Sequence, residues 1–497
     1  MWEKIKGLLF HNTGVKQTVA KNVFWLTVSN FGGRLLRSII IIYSARVLGA
    51  SEWGVFSYAI SLIAFITVFT DIGISPILVR ETAKSRDNAT AQKEILSTSF
   101  FLKLILLAFG VVVVIFTAPQ LTAVAGVKAI LPIVVFILIF DTFRDFGFYL
   151  IRAMEKMEWE AMLYMTTNAA IVVLGFIFLK FSPKVALFTL SYALGTGVGL
   201  AATIFVLRKH FSGIFSNYSS AWAKSILTSA WPFAISGALG ALMINTDILI
   251  IGWLRSAQDV GLYSVGQRIV QLLYVLPAVL STSLFPTLAR LAGKDDKKVS
   301  LAVERVLSFV YLAAIPMALG SVILGKGIIN FVFGSGYADA VSSFQVLGIT
   351  MLIDFPVAIL SGMVFAYNRQ KKLMIYSAIG GILNVVLDFI LIPKFGIVGS
   401  AFATLAAQIL SNIYLHWTAR RLNNFVVLPH LKKVFFASAV MAVAILSMNF
   451  AGWHVLIAVT AGIAVYFGTL FALREPVFEE IRSILQPSAS AAQANGE

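Results

Sequence analysis

The chain has 497 residues, of which 59% are hydrophobic and only 12% charged. Soluble globular proteins carry about 25% charged residues, so the composition excludes a water-soluble fold, and the long continuous apolar runs exclude an outer-membrane barrel built from alternating strands of about ten residues. The formal charge is +16 and there is no cysteine, which excludes disulfides, thiol catalysis and thiolate metal sites.

Residues 1–21 alternate Trp2, Ile5, Leu8, Leu9 and Phe10 with four lysines. This pattern predicts an amphipathic cytoplasmic segment lying on the inner membrane surface. Apolar segments follow at 22–48, 53–79, 96–118, 126–151, 160–180, 184–207, 226–254, 259–289, 301–325, 341–367, 373–392, 397–419, 433–450 and 453–473. About 20 apolar residues cross a bilayer, so the sequence predicts an all-α integral membrane protein with about 14 transmembrane helices. The tail 475–497 ends in PSASAAQANGE, a composition expected to be disordered.

The basic residues test this topology. Of 39 lysines and arginines, 26 fall in the terminal segments and the loops after even-numbered segments, and 7 in the odd-numbered loops. Positive charge collects in cytoplasmic loops. The bias predicts that both termini are cytoplasmic, and it explains the net charge without nucleic acid. A weak repeat supports a twofold organisation. Gly54-Val-Phe-Ser57 opens segment 2 and Gly261-Leu-Tyr-Ser264 opens segment 8. Six segments separate the copies, an even number, so both have one orientation and imply two parallel bundles.

Six basic side chains remain inside apolar segments. Lys103 and Arg305 lie near cytoplasmic ends and are expected to snorkel to the interface. Arg34 and Arg37 lie near the middle of segment 1, just after Gly32-Gly33, and share a face. An arginine at mid-membrane costs at least about 2.5–3.5 kcal/mol and normally faces protein or a watery cavity. Segment 1 offers no carboxylate, so the pair is a candidate anion site, and guanidinium forks suit a pyrophosphate head group. Arg144 sits between Asp141 and Asp145 in segment 4, either as a self-neutralising cluster or as a cavity-facing group oriented by the two aspartates. Arg268 in segment 8 is at a depth where Asp247 of segment 7 could pair with it. Asp71, Asp354 and Asp388 complete the intramembrane carboxylates, which are candidates for ion coupling or for structural pairs.

Other features are structural. Gly195-x-Gly197-x-Gly199 reads as close helix packing, and Pro232, Pro277, Pro316 and Pro356 as helix interruptions. The five histidines have no ligand spacing, so no metal site or other cofactor is predicted. No loop is long enough for a soluble domain, and no phosphate-binding loop of an ATPase is present.

The runs SARVLGASEWGVFSYAISL (Ser44–Leu62), IRAMEKMEWEAML (Ile151–Leu163), NTDILIIGWLRSAQDVGLYSVGQRI (Asn245–Ile269) and IPKFGIVGSAFAT (Ile392–Thr404) resemble the polysaccharide-biosynthesis flippases. These form the Wzx-like branch of the multidrug/oligosaccharidyl-lipid/polysaccharide exporter superfamily. The resemblance implies two six-helix lobes, here 22–207 and 226–421 joined by a cytoplasmic linker at 208–225, around a central cavity. The segments in 433–473 are added to these lobes. It also implies alternating access in the inner membrane, with a lipid-linked glycan as substrate. Arg34, Arg37 and Arg268 match the cationic positions of related flippases, with Arg144 as a further candidate. Related peptidoglycan-precursor flippases carry an arginine in the second helix, where this chain carries Asp71, which argues against that substrate. The expectation is a transporter, not an enzyme: a flippase for undecaprenyl-pyrophosphate-linked oligosaccharide coupled to a proton or sodium gradient. Its expected partners are membrane lipids and other polysaccharide assembly proteins. The alternatives are a drug/cation antiporter, for which two central arginines are unfavourable, and a peptidoglycan lipid-precursor flippase. A membrane glycosyltransferase, polymerase or ligase would need a longer outer loop than any here.

Overall fold

A computed structural model describes residues 14–85, 87–124 and 126–475. Residues 1–13 of the expected surface segment and 476–497 of the expected tail lie outside the described residues. In chain order the long helices are α1 (Val15–Asp71), α2 (Ile74–Lys84), α3 (Ala89–Val112), α4 (Val127–Ala153), α5 (Met157–Phe181), α6 (Val185–Leu207) and α7 (Ser220–Leu254). They continue with α8 (Ala257–Leu273), α9 (Val275–Leu291), α10 (Asp296–Phe333), α11 (Val341–Ala366), α12 (Gln370–Leu422), α13 (Lys432–Phe450) and α14 (Val455–Ala472). The described residues contain no strand, as expected for an all-α membrane protein.

Among the described residues, eleven helical spans are long and apolar enough to cross a bilayer, α8 and α9 counting as one. Two of these are double length. At 1.5 Å per residue, α1 and α12 would each run about 80 Å, against about 30 Å of hydrocarbon. Each breaks at a glycine with left-handed backbone, Gly49 (φ 75°) and Gly396 (φ 60°). Only glycine adopts that conformation without strain. Helix α4 is outside the eleven because Asp141, Arg144, Asp145 and Arg152 crowd its second half. The difference from the expected 14 lies in these three elements.

The helices form two compact units, Met1–Val265 with Ser377–Ala403, and Gly266–Tyr376 with Thr404–Glu497. In the first unit α6 packs on both α5 and α4. The glycine pattern explains how. A Cβ on Gly199 would lie 2.1 Å from Thr167 Oγ1, and one on Gly195 2.8 Å from Ile171 Cα, both on α5. Gly197 faces Phe140 of α4 instead. The closeness that small residues permit substitutes for the hydrophobic drive that lipid removes. The two copies of the sequence repeat meet in this unit. A Cβ on Gly54 would lie 1.7 Å from the Ala257 carbonyl oxygen, and one on Gly261 1.9 Å from that of Ala50. Trp53 Nε1 donates to Ser264 Oγ across the contact (2.9 Å).

In the second unit α10 packs on α11 and α13. Ile315 and Leu324 of α10 join Val434, Met441 and Ile445 of α13 and Ala458 and Tyr466 of α14 in one core. Tyr466 ties that core down by donating to the Leu312 carbonyl oxygen (2.8 Å). Of the four prolines flagged as interruptions, Pro232, Pro316 and Pro356 lie inside continuous helices. The break comes just before Pro277: α8 ends at Leu273 and α9 begins at Val275. A proline clashes with the carbonyl four residues back, here that of Leu273. Bare aromatic side chains such as Phe181 and Phe450, 83% and 82% exposed, fit a surface bathed in lipid rather than water.

Candidate substrate site

The first half of α1 buries Asn22, Ser29, Gly33, Ile40 and Ser44, spaced so that they form one helical face. That face packs on α5. Gly33 sets the approach, because a Cβ there would lie 2.3 Å from Tyr164 Cε1 and 3.0 Å from Asn168 Nδ2. One turn further along each helix, Arg37 meets Asn168. Arg37 Nε donates to Asn168 Oδ1 (3.0 Å), and Asn168 Nδ2 donates to the Tyr164 carbonyl oxygen (2.7 Å). The second bond orients the amide, so its oxygen is the atom offered to Arg37. Asn168 is fully buried, and the Arg37 guanidinium carbon lies 5.6 Å from the centroid of the Tyr192 ring on α6.

This arrangement holds the cation without neutralising it. Among the described residues no carboxylate oxygen comes within 4.0 Å of Arg34 or Arg37. Asn168 takes the Arg37 Nε–H and leaves the two terminal amino groups, the fork that grips phosphate, without an acceptor among the described residues. Arg34 is exposed. Its backbone carbonyl accepts from Ser38 Oγ (2.8 Å), a bond that leaves the side chain unengaged.

Arg144 differs. It is buried between its own neighbours, with Nη1 2.5 Å from Asp141 Oδ1 and Nη2 2.7 Å from Asp145 Oδ1. Phe148 covers it, with a ring centroid 5.5 Å away. Asp141 and Arg144 both lie within electrostatic reach of Arg37. Three guanidinium groups against two carboxylates leave the region with a formal surplus of one positive charge, which sits on the Arg34–Arg37 side.

The other candidates lie elsewhere. Asp71 pairs with Lys103 (2.7 Å), and Ser75 Oγ donates to the same oxygen (2.5 Å). Lys103 is 3% exposed. The expectation that it snorkels is therefore wrong. The Asp71 carboxylate, with the Phe146 and Tyr149 rings 5.8 and 6.0 Å from the ammonium, makes the interior the better solvent. Asp71 is thus engaged by Lys103. Asp247, 2% exposed, accepts from Tyr263 Oη (2.5 Å). Asp388, fully buried on α12, lies beside Asp247 and Ser400. In the second unit Asp354 accepts from Tyr274 Oη (2.9 Å), with Gln408 and Asn412 beside it. Arg268, half-buried on α8, belongs to that unit.

Sequence reading missed Asn168, Tyr192, Tyr263 and Tyr274. The signal was there for Asn168, an amide in the middle of the apolar run of segment 5. A polar group at that depth must be satisfied by protein, which points to an interhelical contact.

The sequence profile of a family described as polysaccharide biosynthesis protein matches residues 19–292, and that of the MatE family residues 232–390. The chain is 23% identical over 483 residues to the "Probable low-salt glycan biosynthesis flippase Agl15" of Haloferax volcanii, covering 96% of this chain and 98% of the relative. It is 21% identical over 415 residues to the "Capsular polysaccharide biosynthesis protein CapF" of Staphylococcus aureus, covering 81% of this chain and 100% of the relative. In three dimensions it is similar to "Lipid II flippase MurJ, inward closed conformation", with a TM-score of 0.78 at 18% identity over 92% of this chain and 99% of that one. At that identity the likeness speaks for the fold alone.

Proposed function

This chain belongs to the polysaccharide biosynthesis protein family, and we propose that it flips an undecaprenyl-pyrophosphate-linked oligosaccharide, a repeat unit of O-antigen, capsule or exopolysaccharide, across the cell inner membrane. The observation that carries this reading is the Arg37 guanidinium. It is held at its Nε by a buried amide, with its phosphate-gripping fork open and Arg34 one turn away without a carboxylate. An unneutralised guanidinium pair in a membrane helix, with Arg37 held by Asn168, is suited to an anionic head group. The lipid tail stays in the bilayer while the head crosses, so the protein desolvates only the polar part. No bond is made or broken.

Alternating access requires an energy source unless the glycan gradient suffices. We assign coupling to Asp247 and Asp388. Two adjacent buried carboxyl groups disfavour double ionisation, so binding or release of a proton or sodium ion there changes the charge of the helix pair α7–α12. The loop charge bias supports cytoplasmic termini. The fold likeness to a lipid II flippase does not transfer that substrate. The second apolar segment, 53–79, lacks the arginine expected of peptidoglycan-precursor flippases, and its Asp71 pairs with Lys103. The test is surface glycan in cells in which Arg34→Ala or Arg37→Ala replaces the wild-type chain. Both variants should insert normally and lose the glycan. Wild-type glycan in both sinks the assignment.

A further inference from the structure

The second unit contains a groove that the proposed flipping step does not use. It encloses about 660 Å³. Ile409, Asn412, Ile413, His416, Trp417 and Arg420 form one of its walls. They recur at three- and four-residue steps and so share one face of α12. Leu352, Pro356 and Leu360 of α11 form the facing wall.

The chemistry of the groove is graded along its length. The isoleucine end is apolar. The other end carries Arg420 and Arg421, both exposed in the last turn of α12. The guanidinium carbon of Arg421 lies 3.7 Å from the centroid of the Trp417 ring, a stacked contact that fixes the cation at the groove mouth. From Ile409 to Arg420 the helix rises about 16 Å, roughly half of the 30 Å hydrocarbon core. The groove therefore spans one leaflet, with the arginines and Trp417 at head-group level.

We propose that this groove is a binding site for an anionic diacyl phospholipid of the inner leaflet. Its acyl chain would run along Ile409 and Ile413, and its phosphate would lie across Arg420 and Arg421. The occupant follows from three features. Guanidinium groups match phosphate oxygens in pairs, which a zwitterionic head group answers less well because its own cation competes. The one-leaflet length fits an acyl chain anchored at its head. Ile413 and Trp417, 60% and 46% exposed, face outward where lipid is the surrounding solvent. The bound lipid would tie α11 to α12 beside Asp354, because Asn412 both lines the groove and neighbours that carboxylate.

The test counts retained lipid on the purified full chain by native mass spectrometry, after exchange into detergent containing phosphatidylglycerol or phosphatidylcholine. The wild type should retain one phosphatidylglycerol in preference to phosphatidylcholine. Arg420→Gln with Arg421→Gln should lower that retention about tenfold. Ile413→Trp, which fills the apolar part and spares the charges, should lower it as well. Lys371→Gln with Lys372→Gln removes the same charge from the first turn of α12, outside the groove, and should leave retention unchanged. The proposal is overturned by equal retention in the wild type and the double arginine variant, or by an equal loss in the lysine control. Occupancy by a polyprenyl phosphate in place of the phospholipid overturns it too. Charge-state distributions in the same spectra identify any variant that has unfolded.

Discussion

Replacing Asn168 by aspartate changes one atom of the side chain and reverses the electrostatics of Arg37. In the wild type the Arg37 Nε lies 3.0 Å from a neutral amide oxygen. In Asn168→Asp the same contact becomes an ion pair. Two unit charges about 4 Å apart at an effective dielectric of 20 attract by roughly 4 kcal/mol. Arg37 is half-buried, and solvent screening reduces that figure. A third of it is still about tenfold in affinity for a competing anion. Asn168→Ala is the matched control, since both variants lose the donation to the Tyr164 carbonyl oxygen but only the aspartate adds charge. Binding of an undecaprenyl-pyrophosphate-linked sugar to the purified protein should therefore weaken at least tenfold more in Asn168→Asp than in Asn168→Ala. Both variants should remain folded, because ion pairing replaces the lost hydrogen bond in one and Arg37 retains partial access to solvent in the other. If the aspartate variant binds as well as the alanine variant, Arg37 does not meet the anionic head group.

Three further outcomes follow from the contacts. Lys103→Met leaves Asp71 without its cation and should cost about 3–5 kcal/mol in a denaturation series, as breaking a buried pair does; adding Asp71→Asn should recover most of that loss. Gly199→Leu forces a side chain onto Thr167 at 2.1 Å; thermal unfolding should fall by the equivalent of 1–3 kcal/mol or more, and an unchanged midpoint would contradict the close α5–α6 packing. Asp388→Asn removes one of the two adjacent buried carboxyl groups. Flipping by that variant should no longer respond to an imposed proton or sodium gradient, and a full response would remove the coupling role assigned to the pair.

The membrane class and the helical segments were legible because lipid imposes long apolar runs, and a break in such a run shows as Gly49 or Gly396. The Arg34–Arg37 pair was legible for the same reason, as charge stands out against an apolar background. What the sequence left open was who faces whom. Asp141, Arg144 and Asp145 lie on one helix, so their spacing foretold the cluster. Asp71 and Lys103 lie on different helices, and only packing brings them together. Lys103 was read from its depth alone, which cannot register a carboxylate across a helix interface. Asn168 was overlooked because an amide carries no charge, although burial makes its hydrogen bonding as exacting as that of an ion. The four-residue repeat indicated two similar bundles but not that Gly54 and Gly261 would touch. That contact depends on the absence of two side chains at once.

The central claim is that unneutralised guanidinium groups on α1 carry the anionic head of a lipid-linked glycan. Its most direct test is leaflet accessibility in vesicles containing the purified protein and an undecaprenyl-pyrophosphate-linked oligosaccharide, read as the rate at which lectin or an added hydrolase reaches sugar that began inside. Wild-type protein should expose that sugar well above the protein-free rate, and the Arg34→Ala, Arg37→Ala double variant should fall to the protein-free rate while remaining folded in the same vesicles. Equal rates for the wild type and the double variant would contradict the account.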